Sequence, residues 1–308
     1  MPTSQIPIYP EQSVRLISHH GILVREDTAF TNKKGLEKYW IRKRAEMALD
    51  KLQEPLRRIL ESEEAVFYVA EAKMMPGGFE QFFLGWHAIY LARGVLVLTN
   101  RRLLYLLVAR NCLWKRSMRG ARWGDIDEAK NKGILGSRLC ITYRDGKKEV
   151  FGLMAWNDSK KTQLLIEALL PQARSETSSA LGMISYCPEC RAELTAGVYE
   201  CPNCRLQFKD EKTLLKRALL IPGGGFFYTG HPFLGLLHAI TDLVVIIIWV
   251  YSIMVVLGII QIMGPGEVQG DRGGTIVVLV FVGAILAFHK WMLIRISRRL
   301  VRTYIPGS

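Results

Sequence analysis

The chain does not open on an apolar run. Met1 to Pro10 is polar and carries three prolines. It lacks the hydrophobic segment of a secretion signal, so the soluble part is expected not to be secreted. Acidic side chains are scarce, with 28 Asp and Glu against 41 Lys and Arg and a formal net charge of +13. An excess of that sign suits an anionic membrane surface or nucleic acid. Catalytic constellations are also missing. There is no Ser/His/Asp or Cys/His set, no phosphate-binding glycine loop and no paired-carboxylate pattern, so a non-enzymatic role is expected. His87 and the neighbours His19 and His20 read as lone histidines of surface or core type. Cysteine is rare too. Of six, Cys112 and Cys140 stand alone, and the other four are clustered.

That cluster is Cys187-Pro-Glu-Cys190 and Cys201-Pro-Asn-Cys204, separated by ten residues. Each CPxC turn aims two thiolates at one point, and two such turns complete the tetrahedron that Zn²⁺ prefers. Clustered cysteines in a reducing compartment point to metal before disulfides. Structural zinc is the expectation, with a rubredoxin-type iron centre or redox thiols as alternatives. Four cysteine ligands would fill the coordination sphere and leave no position for substrate. Tyr186, Leu194, Tyr199 and Phe208 are apolar neighbours able to shield the site. The pattern resembles a zinc ribbon. Ribbons often bind nucleic acid, but Glu189, Glu193 and Glu200 surround this one, so nucleic acid is not expected as a partner.

Apolar residues crowd the C-terminal third. Residues 239–263 and 275–294 are each about long enough to cross a bilayer core. The glycine-rich loop between them holds Glu267 and Asp271, while Lys212, Lys216 and Arg217 precede and Arg295, Arg298, Arg299 and Arg302 follow. Basic outer flanks predict two spans with both ends in the cytoplasm. Residues 214–237 are broken by Pro222 and three glycines, predicting a short helix, a bend and entry into the first span. A three-span arrangement is the alternative. The run from Pro222 to Gly230 resembles the "Pro-Gly-x-Gly-x-Phe-Tyr-x-Gly" turn of small membrane domains appended to zinc ribbons. Within the spans, Asp242 and His238 lie near His289 and Lys290. A buried carboxylate needs a partner, so a pair between Asp242 and Lys290 or His289 is expected, with proton or ion handling as the alternative.

The N-terminal part carries a helical stripe over Gly35 to Leu60 (Ala45, Ala48, Leu49, Leu52, Leu56, Ile59), and Pro55 predicts a division into two helices. From Glu64 the period becomes two. Strands are expected at 65–72, 87–92, 94–99, 102–108, 139–143 and 148–152. Asp145-Gly146 predicts a tight hairpin with both central residues at positive φ. A helix with its N-cap at Asn157, Asp158 or Ser159 follows, closed by Pro171.

The run Gly94-Val-Leu-Val-Leu-Thr-Asn-Arg-Arg-Leu-Leu-Tyr105 and the later Trp123-Gly124-Asp125-Ile126 resemble motifs of the bacterial pleckstrin-homology-like, GRAM-type domains. The resemblance covers about 60–170. It implies a β-barrel capped by a helix that binds lipid or protein. Between the motifs, 109–123 reads as a basic loop with Arg110, Lys115, Arg116, Arg119, Arg122 and Trp114, a candidate contact for anionic lipid headgroups.

The expectation is an α+β multidomain membrane protein: a helical extension (1–60), a PH-like domain (61–172), a linker (173–185), a zinc ribbon (186–209) and a transmembrane region (210–308). Its anticipated role is a membrane-anchored adaptor for anionic lipid or a protein partner. A subunit of a transport or envelope-assembly complex using Asp242, with oligomerisation possible, is the alternative.

Overall fold

A computed structural model describes residues 14–75, 93–109, 113–132, 138–173, 182–259 and 272–307. The strand expected at 87–92 and the residues Arg110 and Cys112 lie outside them. The chain forms two units. The first runs to Gln207 and takes back Thr303–Pro306, and the second spans Phe208–Arg302.

The first unit is built on a mixed α+β arrangement with one large sheet. Its strands are β1 (Leu16–His19), β2 (Ile22–Arg25), β3 (Val66–Met74), β4 (Arg93–Thr99), β5 (Arg102–Val108), β6 (Trp114–Arg122), β7 (Ile126–Lys132), β8 (Arg138–Tyr143), β9 (Lys148–Gly152), β10 (Ile184–Tyr186) and β11 (Glu193–Leu194). The order is β11-β10-β6-β5-β4-β3-β9-β8-β7. β2 joins β3 in parallel at Val24 and Val66, with β1 beyond it. Among the described residues the path from β7 to β11 does not close, so the sheet is not the closed barrel expected.

Both faces of the central strands are covered. In β5, Leu103, Tyr105 and Leu107 face one core, while Leu104, Leu106 and Val108 face the other. This explains why β5 reads as a continuous apolar run and not as an alternation. The first core is filled by β7–β9 and by helix α3 (Trp156–Ala173), through Leu139, Ile141, Phe151, Leu165, Ile166 and Leu169. The second is covered by helix α2 (Tyr39–Ile59), through Leu49, Leu52, Leu56 and Ile59. A four-residue turn of helix, α1 (Glu26–Ala29), precedes it.

Several expectations need correction. Residues 1–60 are not purely helical, because β1 and β2 extend the sheet and α2 is packed on it. Pro55 does not split α2 but lies buried within it. A mid-helix proline costs about 3 kcal/mol. Each buried Leu or Ile of α2 contributes roughly 1.5–3 kcal/mol, so four of them outweigh the proline. The hairpin turn between β8 and β9 has only Gly146 at positive φ (+80°). Gly146 donates to the carbonyl of Tyr143, and Tyr143 donates to that of Lys147. α3 starts at Trp156, ahead of the expected cap, and runs past Pro171 to Ala173.

The largest change concerns the basic loop, most of which is strand β6. Arg116 sits at φ +54°, and the pairing with β5 shifts between Leu106 and Val108. The bulge breaks the period of two and hides the strand from pattern reading. Nor is the ribbon a detached domain, since β10 pairs with β6 through Ile184↔Gly120, Ser185↔Arg119 and Tyr186↔Met118.

Among the described residues the second unit holds four helices: α4 (Glu211–Leu220), α5 (Gly224–Tyr228), α6 (Pro232–Val256) and α7 (Arg272–Val301). α6 and α7 are long and apolar enough to cross a membrane. α6 begins earlier than expected because Pro232 starts it, and it ends earlier because Gly258 stops it. Gly258 has φ +73°; its amide donates to Val255 and that of Ile259 to Met254, the two bonds of a Schellman cap. α4, at ten residues, measures about 15 Å, half of a bilayer core.

Candidate functional sites

The four clustered cysteines converge. Each sulfur lies within 4.8 Å of the others. The Sγ of Cys187 is 3.5 Å from that of Cys204, and the Sγ of Cys190 is 3.4 Å from that of Cys201. A ZnS4 tetrahedron with bonds of about 2.3 Å has edges near 3.8 Å, so the donor set fits a tetrahedral ion. The two turns are built alike. Arg191 donates to the carbonyl of Cys187, and Arg205 to that of Cys201, both at 3.0 Å. Both arginines sit at positive φ, +63° and +59°. The amides of Glu189 and Cys190 point at the sulfur of Cys187, that of Ala192 at Cys190 and that of Leu206 at Cys204. Burial pushes the Cys187 thiol up. Tyr186 and Leu194 are buried beside the site, and Tyr199 packs on Tyr304. Phe208 falls in the second unit.

Two of the cations expected to meet headgroups, Arg116 and Arg119, turn to carboxylates of their own unit. Arg119 pairs with Glu149 at 2.9 Å and also donates to the carbonyl of Met183. Arg116 pairs with Glu189, between the two cysteines of the first turn. The Trp114 indole donates to the carbonyl of Ser117. Lys115 is half-buried on the same strand. Arg122 is exposed, and its backbone amide donates to Asp125.

Arg122 instead borders a cleft of about 720 Å³ that sequence reasoning missed, with Arg101, Arg102, Arg191, Tyr186, Asn100, Glu61 and Glu193 around it. Arg102 is held rigidly. It donates twice to Glu64 (3.0 and 2.8 Å), and its guanidinium lies over the Tyr186 ring. Arg101 pairs with Glu61 at 2.6 Å. The arginines come from residues 90 positions apart, so no local motif announces the cleft.

A second cleft of about 620 Å³ lies between α2, the sheet and the start of α3. On its lining, Lys161 is buried and donates to the carbonyls of Thr28 and Thr31, while Asp158 accepts from Arg44 and from the Tyr68 hydroxyl. Burial pushes the Lys161 amine down to about 7, against the pull of Asp158 and Asp27.

In the second unit the expected ion pair is present. Asp242 is fully buried and accepts from Lys290 at 2.6 Å, from the Gly223 amide at 3.0 Å and meets His289 at 3.1 Å. His289 in turn lies 3.2 Å from His238, which stacks on Phe226. The glycines of the broken segment make this possible. A Cβ on Gly223 would collide with the Gly235 carbonyl, and one on Gly224 with that of Arg217.

No protein-family model matches the chain, and no curated protein does. Among solved structures, the C-terminal domain of an unknown protein from Leishmania infantum is similar at 9% identity, over 40% of this chain and 95% of that one, with a TM-score of 0.27. A likeness at that score carries no argument about fold or function.

Proposed function

We propose that this chain is a membrane-anchored, non-enzymatic binding module whose soluble unit, stiffened by a structural zinc ion, takes a phosphate-bearing anionic group in its arginine cleft. The observation that carries the reading is the cleft itself. Four arginines and two glutamates line it, Arg101 is already paired with Glu61 and Arg102 with Glu64, and a planar guanidinium fork suits phosphate oxygens. Cys187, Cys190, Cys201 and Cys204 hold the zinc, which ties β10 and β11 as a rigid wall bearing Arg191.

The anchor is supported by an inside-out distribution. Val280 and Phe281 are each 66% exposed and Ile247 65%, while Asp242 is fully buried. Water-soluble helices do the reverse. The basic flanks and the return of Thr303–Pro306 to the first unit favour an even number of crossings with the soluble unit in the cytoplasm. The PH-like resemblance agrees with a binding role and adds no ligand.

The test is native mass spectrometry of the full chain from nanodiscs containing phosphatidylglycerol or phosphatidylcholine. The wild type retains the anionic lipid, and Arg122→Gln with Arg191→Gln loses most of it. A parallel titration with soluble inorganic phosphate separates a free anion from a lipid headgroup. Equal lipid retention by variant and wild type, with no phosphate binding, would sink the reading.

A second reading rests on the chain His238–His289–Asp242. Such a relay in an oligomer would serve a transport or envelope-assembly complex. Asp242→Asn would then abolish activity in a chain that still folds, whereas a module that only binds would retain its ligand.

A further inference from the structure

His19 and His20 are not lone. The Nε2 atoms of both point at one carboxylate oxygen of Asp50, at 2.9 and 3.2 Å. Their rings meet edge to face with centroids 4.6 Å apart. We propose that His19, His20 and Asp50 form a second metal site, for a first-row divalent transition ion such as Zn²⁺.

The donor atoms lie within 4.8 Å of one another, and two imidazoles with one carboxylate suit zinc, nickel, copper or iron(II) rather than calcium or magnesium. The set is assembled by tertiary structure. His19 ends β1, His20 occupies the turn to β2, and Asp50 lies on α2. The turn is held open to the helix by backbone geometry. His20 is at φ +50° and Gly21 at +78°, both left-handed, as a two-residue type I′ hairpin requires. The carbonyl of His20 accepts from Arg57, which lies two helical turns beyond Asp50 on α2. Turn and helix are further fixed through the shared core of Ile22, Val24, Leu49, Leu52 and Leu56. The ligands are therefore presented by two elements that cannot drift apart, which lowers the ordering cost of binding.

Exposure leaves room for water to complete the coordination, since His20 and Asp50 are each about half exposed and His19 one-fifth. No Nδ1 of either histidine has a hydrogen-bond partner among the described residues. Without a metal the His19 Nε2 donates its proton to the Asp50 carboxylate, which can only accept; a metal would take that proton's place, and the ring would keep its proton on Nδ1. Three protein ligands with open positions differ from the closed cysteine set, so this ion would bind more weakly and exchange faster.

The test is zinc stoichiometry of the full chain, purified through a tag other than polyhistidine and dialysed against buffered micromolar zinc. His20→Asn is chosen because asparagine tolerates the left-handed turn, and it is combined with His19→Gln. The wild type is expected to hold two zinc ions per chain, and the histidine variant one fewer. Cys190→Ser with Cys204→Ser removes the other ion and leaves the histidine-bound one, so the two assignments fail separately. Cobalt gives a second readout: the thiolate charge-transfer band must survive in the histidine variant. A histidine variant that holds as much zinc as the wild type overturns the proposal.

Discussion

Tyr304 donates its hydroxyl to the carbonyl of Thr195 at 2.7 Å and accepts from the amide of Gly197 at 3.0 Å. Gly197 is at φ +83° in a turn closed by Val198 and Thr195. A residue that follows the second apolar helix thus secures the Thr195–Val198 turn between the two cysteine turns. Tyr304→Phe removes both bonds, at a cost of about 1 kcal/mol each. Faster loss of the cysteine-bound metal to a chelator is expected, with the fold retained. An unchanged rate would show that the tail contributes nothing to the ribbon.

The same connectivity predicts topology. An impermeant maleimide applied to intact cells should label Gln269→Cys, between the two apolar helices, and spare Gly307→Cys, after them. Labelling of both contradicts a crossing by α7, and labelling of Gly307→Cys alone contradicts ends in the cytoplasm.

Removing the metal should unfasten the sheet edge. Structural zinc contributes about 10–16 kcal/mol in small cysteine sites, more than the short strands β10 and β11 gain from pairing. Chelation, or Cys201→Ser, is expected to expose amides 184–194 to hydrogen exchange while β4 and β5 stay protected. Protection of 184–194 in metal-free protein would argue that pairing with β6 suffices alone.

Asp242→Leu leaves the half-buried Lys290 without its carboxylate, and breaking a buried pair costs about 3–5 kcal/mol. Asp242→Leu with Lys290→Met should recover most of that loss, measured by thermal unfolding in detergent. If the double variant is as weak as the single one, the pair is not the source of the stability.

Lys161 carries a pH signature. Its folded value, about 7, lies below the ordinary lysine value of about 10.4. Between the two, the unfolded chain binds more protons, so stability rises as pH climbs from 7 toward 10. The penalty is present in full below 7. Lys161→Met should flatten this slope, seen by comparing denaturant midpoints at about pH 7 and pH 9. Parallel slopes in variant and wild type would show that the ammonium keeps its proton in the fold.

The sequence by itself determined features whose causes are local. Four cysteines at CPxC spacing converge because each turn sets its own geometry. Two long apolar helices follow from hydropathy, and a partner for Asp242 (Lys290 or His289) from the cost of an unpaired carboxylate among them. Gly-Val-Leu-Val-Leu-Thr and Arg-Leu-Leu-Tyr-Leu-Leu-Val form β4 and β5 because apolar, β-rich runs have few other places to go. Tertiary structure decided everything that depends on distant residues. A bulge at Arg116 disguised β6 as a loop, and burial of four α2 side chains overrode Pro55. Pairing of Tyr186 with Met118 merged ribbon and sheet, and packing of α2 on β1 and β2 brought Asp50 to two histidines 31 and 30 residues away. Periodicity records only which face a residue shows, and these outcomes depend on what that face meets.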